Sequence, residues 1–313
     1  MTKTLIGLPI FNEEELLANT LDSLWEMIKD KDIDVLALND GSTDQTEDIL
    51  YKYQKKWGNK LLLNSHGKSL GYGRTINEIL RFGCENKEKY EIIITFDADL
   101  QHDPITVPSI LKELNTKNYV DVCSASRYLD NNFVQKAENV PIDRFLVNMC
   151  VGRLINHFYD LNLSDTFSGF KGYRVCRVES LFKMRDVGYS SPIEFWINAA
   201  YHGLFITEVP TPLRYIKGRE SRGNEKPWEV RFKDYMNAFR KYALEDDKKH
   251  YIDEIQPVFM NFIDTYLNKY FETGINILTS YSNFWNKYSN EFEENLHNTL
   301  KSKNDSIKLI HKF

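Results

Sequence analysis

Apolar strand-like runs and amphipathic helix-like segments alternate through about the first 130 residues, and that alternation restricts the chain to an α/β layer fold around a largely parallel sheet. Leu5-Ile6-Gly7-Leu8-Pro9 is a short apolar run. Asn12-Glu13-Glu14-Glu15 then precedes Leu16, Leu17, Leu21, Leu24, Trp25 and Ile28 at helical spacing, with Asn12 as the expected N-cap and Glu15 completing a capping box. Asp34-Val35-Leu36-Ala37-Leu38 is a second strand, cut off by Asn39-Asp40-Gly41-Ser42, and a helix bearing Ile49, Leu50, Tyr53 and Trp57 follows. A third pass runs from Lys60-Leu61-Leu62-Leu63 through a Gly71/Gly73 loop into a helix that Gly83 is expected to close. Ile92-Ile93-Ile94-Thr95-Phe96 lacks alternation, as a strand covered on both faces should, and runs directly into Asp97-Ala98-Asp99.

In such sheets ligands bind beyond the carboxyl ends of the strands. The polar clusters Pro9 to Glu13, Asn39 to Asp44, Gly71 to Arg74 and Asp97 to Gln101 all fall where a strand yields to a loop, so they should converge on one rim. Beyond residue 140, Arg144 to Phe158 reads as a helix and Asp165 to Phe170 as a turn-rich segment. Ile206 to Leu213 reads as a strand whose Pro210 and Pro212 place it at an edge. From about Leu244 two aromatic stripes, Ile255, Phe259, Phe262, Tyr266, Tyr270 and then Tyr281, Trp285, Tyr288, Phe292, Leu296, Leu300, mark helices that serve as core or subunit interface.

A length of 313 residues with 42% apolar and 27% charged side chains suits an ordinary globular protein that needs neither disulfides nor a structural metal to fold. The four cysteines, Cys84, Cys123, Cys150 and Cys176, form no CxxC pair, so a reduced, cytoplasmic setting is expected. The net charge of −5 weighs against a nucleic-acid partner. No apolar run approaches the roughly 20 residues of a membrane span, and the N-terminus turns acidic too early for a signal peptide. The terminal segment Ile307 to Phe313 mixes lysine with apolar groups; it is either a solvated end or a peripheral contact at the cytoplasmic face of a membrane.

Asp97-Ala98-Asp99 carries the most chemistry. Two carboxylates immediately after a buried strand repel one another unless they are solvated or neutralised, and a hard divalent cation that also binds a diphosphate would neutralise them. A solvated turn is the alternative. Gln101 could complete a metal shell, whereas His102 reads as a loop residue because no second soft ligand lies near in sequence. Gly67-Lys68-Ser69 is not a phosphate-binding P-loop, since Leu62 stands where a glycine is needed. Gly71-Tyr72-Gly73 is not a dinucleotide fingerprint, since it lacks the third glycine and follows the third strand.

Together these segments resemble family 2 glycosyltransferases of the GT-A (nucleotide-diphospho-sugar transferase) fold, most closely the dolichyl-phosphate mannosyltransferase and polyprenyl-phosphate glycosyltransferase branch. The resemblance rests on eight segments that recur in family order over roughly residues 4 to 225. They are Pro9 to Glu13, Asn39 to Thr46, Gly67 to Gly73, Asp97 to Pro104, Ser126-Arg127, Asp165 to Phe170, Glu208-Val209-Pro210 and Arg214 to Arg222. It implies a mostly parallel central sheet flanked by helices. A GT-A domain would span residues 1–240, with a nucleotide-sugar half at 1–130 and an acceptor half at 131–240, followed by a helical extension at 241–313.

The resemblance also implies roles. Pro9, Phe11, Glu13 and Asp40 would hold the nucleoside, Asp40 as base reader; Asp97 and Asp99 would meet ribose, diphosphate and a Mg²⁺ or Mn²⁺ ion, with Gln101 assisting. Arg127 would face the phosphates, and Arg214, Arg219, Ser221 and Arg222 would lie on a loop clamping donor and acceptor phosphates. Asn39, Phe11 and Arg222 depart from the family's more common aspartate, tyrosine and lysine. Asp165 sits on the acceptor side. It would be the general base if a sugar hydroxyl is the acceptor, an orienting group if the acceptor is already an anionic phosphate, or simply a turn aspartate bonded to the amides of Thr166 to Ser168.

The expected activity is inverting, metal-dependent transfer of a hexose from a GDP- or UDP-sugar to a polyprenyl or dolichyl phosphate. Transfer to a hydroxyl of a growing glycan is one alternative, and a non-catalytic sugar-nucleotide-binding scaffold is another. Expected partners are the nucleoside-diphosphate sugar, the acceptor, a membrane surface and a second copy of the chain through the C-terminal helices.

Overall fold

A computed structural model describes residues 3–135, 140–181, 185, 188–216, 226–243 and 246–273. The N-terminal half runs β1 (Lys3–Ile10), α1 (Leu17–Ile28), β2 (Ile33–Asn39), α2 (Thr46–Trp57), β3 (Leu61–Ser65), α3 (Tyr72–Glu85), β4 (Tyr90–Thr95) and α4 (Val107–Thr116). It continues through β5 (Val122–Ser126), α5 (Asn131–Gln135), α6 (Ile142–Tyr159), β6 (Lys171–Arg174), α7 (Val175–Val178), α8 (Ser191–Tyr201), β7 (Ile206–Pro210), α9 (Trp228–Tyr242) and α10 (Asp246–Thr273). The strands form one seven-stranded sheet in the order β3-β2-β1-β4-β6-β5-β7. Only β6 runs against its neighbours, pairing antiparallel with β4 and β5; the other adjacent pairs are parallel. The proline-bearing β7 lies at an edge, as its composition requires.

Successive residues of the central strands feed two apolar layers, because side chains alternate across a pleated sheet. Leu5, Leu36, Leu38 and Ile93 join α3, α6, α8, α9 and α10 on one face. Ile6, Leu8, Val35, Ala37, Ile92 and Ile94 join α1, α2 and α4 on the other. The first aromatic stripe of the C-terminal region is core: Ile255, Phe259, Phe262 and Tyr266 of α10 are buried in the same apolar layer as α6 and α9. The Tyr270 side chain and the whole second stripe, with the terminal Ile307 to Phe313, lie outside the described residues.

Two local expectations change. Asn12 is not a helix cap: α1 starts later, at Leu17, and Asn12 adopts a left-handed φ of 51° while its Oδ1 accepts the Thr43 amide at 2.7 Å. The residue ties two rim loops together instead. Gly83 does not end α3, which continues to Glu85. It lies against β4, where an added Cβ would come within 2.2 Å of Ile93 Cδ1. Gly7 does the same service from the strand side, its missing Cβ leaving room for Ile79, whose Cγ2 would stand 2.1 Å away. Gly7→Ala should therefore lower stability by about 1–3 kcal/mol through overpacking of α3 on β1. Thermal unfolding checks this, and an unchanged midpoint would show that α3 does not press on the sheet there.

Candidate active site

The strand order places the site. β2 and β3 extend from β1 in one direction and β4 lies in the other, so the carboxyl ends of β1 and β4 flank a switch point where connecting loops diverge and leave a crevice. A cavity of about 450 Å³ opens there, walled by Pro9, Phe11 and Glu13 after β1, Asp40 after β2, Tyr72 of α3, and Asp97, Asp99 and Gln101 after β4. The four polar clusters thus meet on one rim. Arg127, Arg144, Asn148, Phe167, Lys171, Phe195 and Tyr235 line the opposite side.

Asp97 lies two residues past the end of β4, and its packing depends on a glycine. A Cβ on Gly169 would stand 2.6 Å from the Tyr72 hydroxyl and 2.8 Å from Asp97 Oδ2, so only glycine lets the 165–170 segment close against this carboxylate. The Tyr72 hydroxyl donates to Asp97 Oδ1 at 3.1 Å. Burial pushes the Asp97 carboxyl up to about 6. The Asp97 amide donates to His102 Nδ1 at 2.8 Å, and the ring is stacked on Phe170 at 4.8 Å. Burial pushes His102 down to about 4, so the ring is neutral at pH 7. With Nδ1 accepting, its proton resides on Nε2, 3.4 Å from Asp97 Oδ2. His102 is therefore more than a loop residue: it orients Asp97. Asp99 Oδ1 accepts the Gln101 amide at 3.0 Å, and between them Leu100 takes a left-handed φ of 63°, a strained conformation for a bulky side chain.

On the nucleoside side, Asp40 holds a loop in place. Its carboxylate receives His66 Nδ1 at 2.6 Å, Ser69 Oγ at 2.7 Å, the Leu70 amide at 2.9 Å and the Gly71 amide at 3.0 Å, which fills the usual acceptor sites of a carboxylate. Burial alone would raise its pKa, but these donors outweigh burial and hold it below the usual carboxylate range. His66 spans Asp40 and Glu78, with Nε2 at 2.7 Å from Glu78 Oε2, and Arg74 Nε reaches the other Glu78 oxygen at 2.7 Å. The motif fit that made Asp40 a direct base reader gives no sign of this network, whose partners come from a separate loop. Asn39 Oδ1 accepts the Ser42 amide at 3.0 Å, a turn-holding bond open to an amide as well as to the aspartate usual at that position.

On the acceptor side, Asp165 is 2% exposed and is paired with Arg127. Arg127 gives it a two-pronged contact, Nε to Oδ2 at 2.6 Å and Nη2 to Oδ1 at 2.9 Å, and adds its backbone amide at 3.1 Å. The Phe167 amide supplies the expected turn bond at 3.2 Å. Burial opposes ionisation, yet the Arg127 charge and these bonds keep Asp165 below the usual carboxylate range. Glu208 supports the same turn, accepting the Ser164 amide and hydroxyl at 2.8 Å and the Asp165 amide at 3.1 Å. Arg214 reaches Asp103 at 2.5 Å, on the loop that carries Asp97 and Asp99. Arg219, Ser221 and Arg222 lie outside the described residues. Tyr72, Asn148, Lys171 and Tyr235 join the cavity wall with no signal in the spacing of the sequence; Lys171 opens the four-residue, polar-ended β6.

Fold and cavity together define an α/β domain with a polar, charged crevice at its switch point. The sequence pattern of Glycosyl transferase family 2 matches residues 5–182, more than half of the chain, and the chain belongs to that family: it is a glycosyltransferase with the GT-A fold. The undecaprenyl-phosphate mannosyltransferase of Micrococcus luteus is 27% identical over 210 residues, 66% of this chain and 82% of its own length. The dolichol-phosphate mannosyltransferase of Pyrococcus furiosus is 25% identical over 228 residues, 72% of this chain but 59% of its own length. In fold, the chain is similar to the crystal structure of glucosyl-3-phosphoglycerate synthase from Mycobacterium tuberculosis in complex with Mn²⁺, uridine diphosphate and glucosyl-3-phosphoglycerate. The TM-score is 0.57 at 18% identity, covering 78% of this chain and 81% of that one.

The elevated Asp97 carboxyl has a measurable sign. A folded value near 6 exceeds the ordinary 3.8, so ionised Asp97 costs stability that is absent below pH 4, grows between pH 4 and 6, and is constant above. In the metal-free protein, the difference in unfolding temperature between Asp97→Asn and wild type should move in favour of the variant across that window and then level off. A difference independent of pH would contradict the shielded carboxylate.

Proposed function

We propose that this glycosyltransferase moves a hexose, with inversion, from a nucleoside-diphosphate sugar to a polyprenyl phosphate. The observation that carries this reading is the state of Asp165. A sugar hydroxyl must lose a proton as it attacks, which calls for a carboxylate with a free oxygen and an unreduced basicity. Asp165 has neither, because Arg127 and the Phe167 amide occupy it and hold its pKa down. A phosphate oxygen is already an anion and attacks without a base. The cavity wall suits such a group: Arg127 and Arg144 line it, and the Asn148 side-chain nitrogen, buried there, has no hydrogen-bond partner among the described residues. Two relatives are named for polyprenyl-phosphate acceptors, which supports the same class.

In the proposed reaction an acceptor phosphate oxygen forms a bond to the anomeric carbon as the bond from that carbon to the β-phosphate oxygen breaks. The bonding pair leaves with the nucleoside diphosphate, and no proton is transferred. Pro9, Phe11 and Glu13 would flank the nucleoside, with Asp40 shaping the pocket through the 66–71 loop. Arg127, anchored by Asp165, would turn its remaining donors to phosphate oxygens, with Arg214 beside Asp103 as a further cation, and Arg219, Ser221 and Arg222 are proposed to contact the same phosphates.

A divalent cation fits Asp97 and Asp99. Their donor set is oxygen alone, and the desolvated Asp97 carboxylate gains from a nearby positive charge. Among the described residues no group of three or more His, Cys, Asp or Glu side chains gathers, so phosphate oxygens and water would complete the shell, the arrangement Mg²⁺ and Mn²⁺ accept with nucleotides. Bound there with Gln101 nearby, the ion would offset the charge on the departing diphosphate. No helix among the described residues is long and apolar enough to cross a membrane, so the lipid acceptor would be met at a membrane surface.

The test is a transfer assay offering GDP- and UDP-sugars with undecaprenyl phosphate or with oligosaccharides. Sugar appearing only on an oligosaccharide hydroxyl would overturn the acceptor assignment. Asp99→Ala should remove Mn²⁺-dependent stabilisation by nucleoside diphosphate, a loss of about 2.7 kcal/mol when ligand stands about 100-fold above Kd. A retained thermal shift would remove Asp99 from the cation site.

A further inference from the structure

Lys171 opens β6 opposite Thr95 of β4 and is 4% exposed. Its chain runs past two rings of α8, with Nζ 5.6 Å from the centre of Phe195 and 5.2 Å from that of Trp196, and it lines the cavity. The ammonium donates to the Ser168 carbonyl. No carboxylate of the described residues comes within 4.0 Å of it: Asp165 is paired with Arg127, and Asp97 with Tyr72. The two ring faces make cation–π contacts with it and the charges of Asp165 and Asp97 act on it from farther off, but an ammonium carries three donors and the Ser168 carbonyl takes one of them. Burial accordingly pushes Lys171 down to about 8. A methionine would fill the same aromatic slot without the desolvation cost, at the loss of the two cation–π contacts, so apolar packing alone does not account for a lysine here.

Strand order says which ligand the cation faces. The nucleoside loops follow β1 and β2, whereas Lys171 stands on β6, on the far side of β4 and its Asp97. Phe167, Tyr173 and Phe195 wall that side with aromatic surface, and a low-dielectric wall strengthens any charge-assisted hydrogen bond made against it. We propose that Lys171 seats an oxygen of the acceptor's phosphate on the floor of the cavity and so determines acceptor specificity. This rests on the phosphate-acceptor reading above; a free phosphate monoester would present the same chemistry as a lipid headgroup.

The test compares wild type with Lys171→Met and Lys171→Arg, using farnesyl phosphate and inorganic phosphate as probes. Lys171→Met should weaken farnesyl phosphate binding about 10- to 100-fold, the worth of one charged hydrogen bond. It should leave the Mn²⁺-dependent thermal shift by UDP or GDP intact and the free protein at least as heat-stable as before, while Lys171→Arg recovers part of the affinity. A merely structural lysine would instead lower the unfolding temperature and weaken nucleotide binding together, and that result overturns the proposal. So does farnesyl phosphate binding within about twofold of wild type in the methionine variant, which leaves the polyprenyl-phosphate reading standing. If wild type ignores farnesyl phosphate but binds inorganic phosphate in a Lys171-dependent way, the anion seat holds and the lipid acceptor falls. Binding of neither probe to wild type overturns both.

Discussion

A carboxylate kept partly out of water organises this site. Asp97 is pressed between the Tyr72 hydroxyl and the backbone at Gly169, with a neutral His102 holding its amide. That arrangement requires β6 to run antiparallel beside β4, because only then does the turn leading into β6 arrive over the carboxyl end of β4. The Thr95 hydroxyl fastens the junction by donating to the Gly169 carbonyl at 2.6 Å. A reversed strand in an otherwise parallel sheet thus brings the acceptor-side loop within contact distance of the donor-side motif.

The charges divide along the same line. Asp97 and Asp99 stand over β4, while Arg127, Arg144 and Lys171 stand on the far side, so the cavity has an anionic centre and a cationic wall. Burial acts on one group of each set from opposite signs, raising Asp97 and lowering Lys171. Both shifts have burial as their first cause. A cation brought beside Asp97 would relieve the first and an anion brought beside Lys171 the second, the charge pattern that the proposed metal-bound donor and phosphate acceptor would supply.

Much of the scaffold was legible because it depends on periodicity. Alternating apolar runs mark β1 to β4, and the polar clusters after them mark the rim, since both follow from how strands bury their faces. The errors are tertiary. Asn12 looks like a helix cap, but its side chain is taken by Thr43 across the rim, and Gly83 looks like a helix end because sequence does not reveal that Ile93 lies against it. The antiparallel β6 is four residues long and leaves almost no pattern. Lys171 and His102 are hidden for a related reason: their importance comes from burial and from partners on another helix or segment, Phe195 and Trp196 for the first and Phe170 for the second, or folded back within one loop, none of which spacing reveals.

Asp165 shows most clearly where motif reading stops and geometry begins. The same aspartate could be base, orienting group or turn residue, and all three roles need a carboxylate in that turn. What separates them is the direction of Arg127. An arginine fork aligned with both oxygens favours an anchor over a base, because protonating that carboxylate would break a buried ion pair as well as take up a proton. The anchor has its own use: it fixes one face of a guanidinium that would otherwise sample many rotamers and leaves the remaining donors along the cavity. Electrostatic preorganisation of this kind favours an acceptor that brings its own negative charge, and it is poorly suited to one that must first surrender a proton.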